Sequence, residues 1–261
     1  MEKLTIIKIG GKVINEVEAL DAFLKKFSQL EGKKILVHGG GNIASEWQRK
    51  LGVEPKMIEG RRITDQATIE VVTMIYAGLN KQIVAKLQSL DLQALGMSGA
   101  DLNLIRAYKR MNIVIDYGYV GDIEKVNDDI LNSLINLQIT PVICALTHDN
   151  NGQLLNTNAD TIASALAASL SERFDVDLVY CFEQPGVLSD FVNKTVIPLI
   201  VKKDYEGLKT KGIINDGMIP KIDNAFDAID AGVKHVKVCH FDKIDTIDSE
   251  HYSGTVLCQK G

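Results

Sequence analysis

A lysine inside an apolar run is the first residue of this chain that demands a chemical partner: Lys8 follows Leu4-Thr5-Ile6-Ile7 and precedes Ile9-Gly10-Gly11. The run is short, β-branched and closed by glycines. It reads as a buried strand of a parallel sheet, where a charge needs a counter-charge. A second run, Lys34-Ile35-Leu36-Val37-His38, ends in Gly39-Gly40-Gly41 and leads into a helical pattern. Strand-to-helix turns of this kind aim bare N–H groups and helix N-termini at one spot, which makes an anion site. In the second half, Asn215-Asp216-Gly217-Met218-Ile219-Pro220-Lys221 opens a helix. Proline is tolerated only in the first turn of a helix, so Lys221 lies at the positive end of the dipole, a placement that costs about 0.3–1 kcal/mol unless an anion stands in front. Asn156-Thr157-Asn158-Ala159-Asp160 starts another helix, with Asn158 expected as N-cap and Asp160 in the first turn. Each residue has a plainer role. Lys8 can snorkel from an edge strand, Asp160 can answer a helix dipole, and Arg62 in Gly60-Arg61-Arg62-Ile63-Thr64 can be a loop arginine. His38 is more often structural than a base. As a set they point to phosphate chemistry between cations.

The elements that must position these residues follow from periodicity. Helical patterns cover about 17–30, 43–51 and 65–90, the last carrying Ile69, Val72, Met74, Ile75, Leu79, Ile83 and Leu87. Short strands are expected near 103–107, 112–116 and 118–121, then a helix over about 127–137 and an apolar strand over 140–146. Asp149-Asn150-Asn151-Gly152 is a hairpin turn, followed by an alanine-rich helix reaching about Leu170. A strand over 177–182 ends at a Pro185-Gly186 turn, and the rest alternates helix and strand. This βα alternation implies an α/β fold with a mainly parallel sheet covered by helices on both faces. The charged stretch 171–175 is the expected lobe boundary, giving lobes 1–172 and 173–261.

The chain has 261 residues, 46% hydrophobic and 24% charged, so it can bury a sizeable core. A net charge of −5 without a basic cluster argues against a nucleic-acid partner. No apolar stretch reaches the roughly 18 residues of a membrane span, and no signal-peptide pattern precedes the first strand. A cytoplasmic location is expected. Cys144, Cys181, Cys239 and Cys258 lie far apart in apolar segments without metal or redox spacing, and no metal cluster is expected. Neither G-x-x-x-x-G-K-[ST] nor a post-strand G-x-G-x-x-G is present. His38-Gly-Gly-Gly with Gly96-Met97-Ser98-Gly99-Ala100 imitates an esterase oxyanion hole and nucleophile elbow, but the elbow lacks its last glycine and leaves Lys8, Asp160 and Lys221 without a task.

With Lys8-Ile-Gly-Gly, His38-Gly-Gly-Gly-Asn, Gly60-Arg-Arg-Ile-Thr, Asn156-Thr-Asn-Ala-Asp160 and Asp216-Gly-Met-Ile-Pro-Lys221 in order, the chain resembles the amino-acid kinase family over nearly its whole length. The resemblance implies a three-layer αβα sandwich, with an N-terminal lobe for an acylated amino acid and dimerisation and a C-terminal lobe for ATP, used with Mg²⁺. It implies that Lys8 and Lys221 stabilise the phosphoryl group in transit and that Asp160 holds them. Gly40, Gly41, Arg62 and Asn156 would bind the acyl-amino acid, and Gly10, Gly11, Glu183, Gly186 and Asn215 the nucleotide. The chain departs from the family at Cys181-Phe182-Glu183-Gln184-Pro185-Gly186, where Glu183 replaces the usual aspartate, and at Asp101-Leu102-Asn103, where the family has Asp-Gly-Asn. The implied reaction phosphorylates the γ-carboxylate of an N-acylglutamate, a step of arginine biosynthesis, with the acyl group left open. The alternatives are a family member acting on carbamate, uridylate or glutamate, and a non-catalytic sensor of acylglutamate or arginine. Only Met1-Glu2-Lys3 precede the first strand, so the arginine-inhibited hexamers of the family, built with an extra N-terminal helix, are not expected. A homodimer through the 65–90 helix, insensitive to arginine, is.

Overall fold

The structure is a computed structural model and describes residues 1–58, 61–214 and 218–260. In chain order its first elements are β1 (Lys3–Ile9), α1 (Gly11–Asn15), α2 (Val17–Gln29), β2 (Lys33–His38) and α3 (Gly41–Lys50). Then come β3 (Met57–Ile58), β4 (Arg61–Arg62), α4 (Gln66–Gln88), β5 (Ala94–Met97), β6 (Ile105–Lys109), β7 (Gly121–Val126) and α5 (Asp128–Asn136). The middle holds β8 (Thr140–Cys144), β9 (Leu146–His148), β10 (Leu154–Asn156), α6 (Ala159–Leu170) and β11 (Asp175–Phe182). Last are β12 (Leu188–Asp190), β13 (Thr195–Val196), β14 (Leu199–Val201), α7 (Lys202–Thr210), α8 (Ile219–Asp230), β15 (His235–His240) and β16 (Thr255–Cys258).

The chain divides into two compact units, Met1–Ile35 with Ala163–Gly261, and Leu36–Ile162. The 171–175 stretch expected to separate lobes lies inside the first unit, because β1 belongs with the C-terminal strands rather than with its sequence neighbours. In that unit the strand order is β14-β16-β15-β11-β1. β1 runs parallel to β11 with Lys8 opposite Tyr180, and β11 runs parallel to β15 with Phe182 opposite His240. Both faces of β1 are covered: Leu4, Ile6, Ile7 and Ile9 are fully buried, which is why the strand reads as a continuous apolar run. The buried stripe Leu20, Phe23, Leu24 and Phe27 gives α2 its core face.

In the second unit β5, β8 and the end of β2 pair in parallel, and a four-stranded sheet of order β10-β9-β6-β7 accompanies them. The turn between β9 and β10 forms the expected hairpin, with Asn150 and Gly152 at positive φ. Asp65 caps α4 by accepting from the Thr68 N–H at 2.9 Å. No strand forms at 112–116. Asn112 Oδ1 instead accepts from the backbone N–H of Val114 and Ile115, closing a side-chain turn that leaves Ile113 and Val114 exposed. The α/β class with a mainly parallel sheet is what the alternation of the sequence demanded. No helix of the described residues is long and apolar enough to cross a membrane.

Candidate active site

In the first unit, Lys8 is 7% exposed, near the C-terminal end of a strand paired with β11. Gly10 follows it, and its N–H donates to the Cys181 carbonyl at 2.9 Å, extending the ladder by one residue. That amide is therefore engaged within the protein, and the turn is close but not closed to a side chain: a Cβ at Gly10 would make a tight 3.3 Å contact with the Phe182 Cβ. Gly11 begins α1, where the first N–H groups have no intrahelical acceptor. Lys221 lies in the first turn of α8, behind Pro220, as the proline required. Tyr180 and α8 are tied together by Ser164, whose hydroxyl hydrogen-bonds the Tyr180 hydroxyl at 2.6 Å and donates to the Asn224 carbonyl at 3.0 Å. The strand neighbour of Lys8 and the helix of Lys221 thus share one anchor.

Glu183 is exposed just beyond β11. Gly186 is a packing glycine, since a Cβ would come within 2.7 Å of Thr255 Oγ1 and 2.8 Å of Val196 Cγ1. Asn215 lies outside the described residues, as do Asp216, Gly217 and Gly60. All four cysteines are buried and free. Burial, reinforced by the Cys239 sulfur 3.7 Å away, raises the Cys181 thiol well above its ordinary pKa, so it stays protonated.

In the second unit, the Gly39-Gly40-Gly41 turn joins β2 to α3. A Cβ on Gly40 would lie 3.0 and 3.1 Å from ring carbons of Tyr76. Arg62 is buried beside this turn. Its guanidinium donates to the Gly41 carbonyl at 2.8 Å, to Ser45 Oγ at 2.8 Å and to Gln48 Oε1, so three of its donors hold it against α3. Burial lowers the Arg62 pKa, and the Tyr76 hydroxyl partly counters that; arginine remains charged regardless. Asn156 reaches the same neighbourhood: its Nδ2 donates to Thr64 Oγ1 at 3.1 Å, which donates to the Arg62 carbonyl at 3.0 Å. Asn158 caps α6 as expected, its Oδ1 accepting from Asp160 N at 2.7 Å and Thr161 N at 3.2 Å. That cap places Asp160, 6% exposed, in the first helical turn.

The structure thus brings together Gly40, Gly41, Arg62 and Asn156 in one unit, and Lys8, Gly10 and Gly11 in the other. Sequence reading missed Ser45, Gln48, Thr64 and Tyr76, the groups that orient Arg62. A usable signal existed: Gln48, fully buried, shares the inner face of α3 with Ala44. The esterase alternative finds no geometry, because Ser98 Oγ donates to Asp101 at 2.8 Å and His38 Nε2 faces Asn80. Among the described residues no three His, Cys, Asp or Glu cluster as a metal cage. A hard divalent ion brought in on phosphates needs only one or two carboxylates, and a helix-start carboxylate such as Asp160 fits that donor chemistry.

Residues 3–240 match the amino acid kinase family. Acetylglutamate kinase of Cytophaga hutchinsonii is 52% identical over 261 residues, covering 98% of this chain and 99% of that one. The acetylglutamate kinase of Parabacteroides distasonis is 52% identical over 246 residues, covering 94% and 96%. Among solved structures, carbamate kinase from Giardia lamblia superposes with a TM-score of 0.70 at 14% identity, covering 99% of each chain, and shares the fold.

Proposed function

This chain belongs to the amino acid kinase family, and we infer that it transfers the γ-phosphoryl group of ATP to the γ-carboxylate of N-acetyl-L-glutamate, a step of arginine biosynthesis. The observation that carries this reading is identity of 52% across 98% of the chain to a curated acetylglutamate kinase. The site chemistry supports it. A γ-carboxylate with a pKa of about 4.3 is ionised at neutral pH, so no general base is needed. What opposes reaction is the approach of an anion to a polyanionic phosphate.

We assign Lys8 and Lys221 to the charge that spreads over the equatorial oxygens as a carboxylate oxygen bonds to Pγ and the bond from Pγ to the β,γ-bridging oxygen breaks. Asp160 positions those cations. Gly11, Gly40 and Gly41 supply amides to the phosphates and carboxylate. Gly10 gives the nucleotide turn its close approach, with Glu183, Gly186 and Asn215 completing the nucleotide side. Arg62 and Asn156 bind the acylated amino acid. Kinases of this family use ATP with a divalent metal, here proposed as Mg²⁺, which neutralises the phosphates. The acceptor side falls to the N-terminal part of the chain and the nucleotide side to the C-terminal part. A homodimer is proposed through α4, where Met74 is 59% exposed and flanks a groove lined by Ile69, Thr73 and Leu154.

Initial rates of ADP formation with N-acetylglutamate, N-succinylglutamate, glutamate, carbamate and UMP test the reading. N-acetylglutamate should give the highest kcat/KM. A preference for carbamate, UMP or free glutamate by more than tenfold would reassign the acceptor.

A further inference from the structure

Among the buried ionisable groups that the mechanism above does not use is a histidine. His38 is 0% exposed and stands between two polar partners, the Gly39 carbonyl at 2.8 Å from Nδ1 and Asn80 Nδ2 at 3.0 Å from Nε2. A carbonyl only accepts, so Nδ1 carries the proton and Nε2 offers its lone pair to the Asn80 amide. The orientation of that amide is fixed in turn, because Nδ2 also donates to the Val142 carbonyl at 2.9 Å. Asn80 sits on the core face of α4 with Tyr76, Ile83 and Leu87, where packing alone asks for an apolar side chain. Room for it comes from Gly96 on β5, where a Cβ would fall 2.1 Å from Asn80 Oδ1. Burying two polar side chains costs about 1–3 kcal/mol each unless they are satisfied, and here they are satisfied in series.

We propose, resting on the kinase reading, that His38 and Asn80 are positioning residues: they lock the Gly39–Gly40 peptide so that the Gly40 N–H faces the reacting anion. The carbonyl of Gly39 and the N–H of Gly40 belong to one trans peptide plane and point opposite ways, so holding the oxygen aims the hydrogen. Two glycines allow that plane to turn over at little steric cost. Turned over, it would present a carbonyl oxygen to the phosphoryl group or carboxylate in place of a donor. The Gly40 N–H has no hydrogen-bond partner among the described residues, while the Gly40 carbonyl accepts from Ala44 N at 2.9 Å at the start of α3. The chain of contacts from the Val142 carbonyl through Asn80 and His38 to Gly39 therefore ends on the Gly40 amide.

The test compares His38→Leu, which removes the donor, with His38→Asn, whose amide can donate from the place of Nδ1. Expected in steady state is a fall in kcat of about tenfold or more for His38→Leu, with both KM values within about threefold of wild type, and recovery to within about threefold in His38→Asn. Thermal midpoints are measured alongside, because a purely structural histidine would make kcat follow stability in both variants. Unchanged kcat in His38→Leu, or no recovery in a His38→Asn protein as stable as His38→Leu, would overturn the proposal. Nitrogen NMR of the wild-type imidazole gives a readout independent of substrate: the Nδ1–H tautomer is expected at pH 7, and the Nε2–H tautomer would overturn the assignment. Wild-type protein inactive on N-acetylglutamate but holding the Nδ1–H tautomer would instead fault the kinase reading.

Discussion

The two glycine turns look alike in sequence and differ in structure. After β1, the Gly10 amide is absorbed by the Cys181 carbonyl, and the helix that follows is only five residues long. What that turn delivers is the buried lysine two residues before it. After β2, the Gly39 carbonyl is held by His38, the Gly41 carbonyl by Arg62, and a helix of 10 residues follows. This turn delivers amides, oriented by side chains behind them. A strand–glycine–helix pattern marks an anion site but does not say whether a cation or a backbone donor is the working part.

That contrast can be broken first at the cations. Lys8→Ala or Lys221→Ala should lower kcat by about 10²-fold or more, with a smaller change in KM and no loss of fold by circular dichroism. Near-normal turnover in both variants would remove the first turn's lysine from the mechanism. The glycines sharpen it next. Gly40→Ala drives a Cβ to 3.0 Å from the Tyr76 ring, and kcat should fall about tenfold as the donor shifts. Gly10→Ala meets only a 3.3 Å contact with Phe182 Cβ and loses no free amide, so a change of about twofold to threefold is expected. Equal losses from the two substitutions would mean that the turns are equivalent after all.

Arg62→Lys retains charge but loses the planar fork that holds Gly41, Ser45 and Gln48, so KM for N-acetylglutamate should rise about fivefold while that for ATP stays put. A rise confined to ATP would move Arg62 to the nucleotide. The smallest effect concerns pH. Burial lowers the His38 pKa to about 4, against about 6.5 in the unfolded chain. Between those values the unfolded state binds the proton and the folded state does not, so this histidine's contribution to stability is lost as pH falls from 6.5 towards 4. Over the single unit from pH 6.5 to 5.5, wild type should lose about 1 kcal/mol more than His38→Asn in urea titrations. Parallel losses would show that His38 protonates in the folded state.

Much of this was legible from residue types. Lys8 in an apolar run, Pro220 ahead of Lys221 and Asn158 ahead of Asp160 each forced a local structure that the molecule adopts, because strand burial, proline placement and capping are decided within a few residues. The fate of the Gly10 amide was not legible, since its acceptor lies on β11, more than 170 positions away. Nor was the setting of Arg62, which depends on a buried glutamine and tyrosine that read as ordinary helix positions. The missing strand at 112–116 has a local cause: β-branched residues favoured it, and a single asparagine side chain competed successfully for their N–H groups.

The central claim, phosphoryl transfer to a carboxylate, is tested most directly by trapping the product. Hydroxylamine converts an acyl phosphate to a hydroxamate, so ATP, Mg²⁺ and N-acetylglutamate with this protein should yield ADP and hydroxamate in equal amounts. ADP released without hydroxamate, or hydroxamate formed only from an acceptor lacking the N-acyl group, would contradict the account.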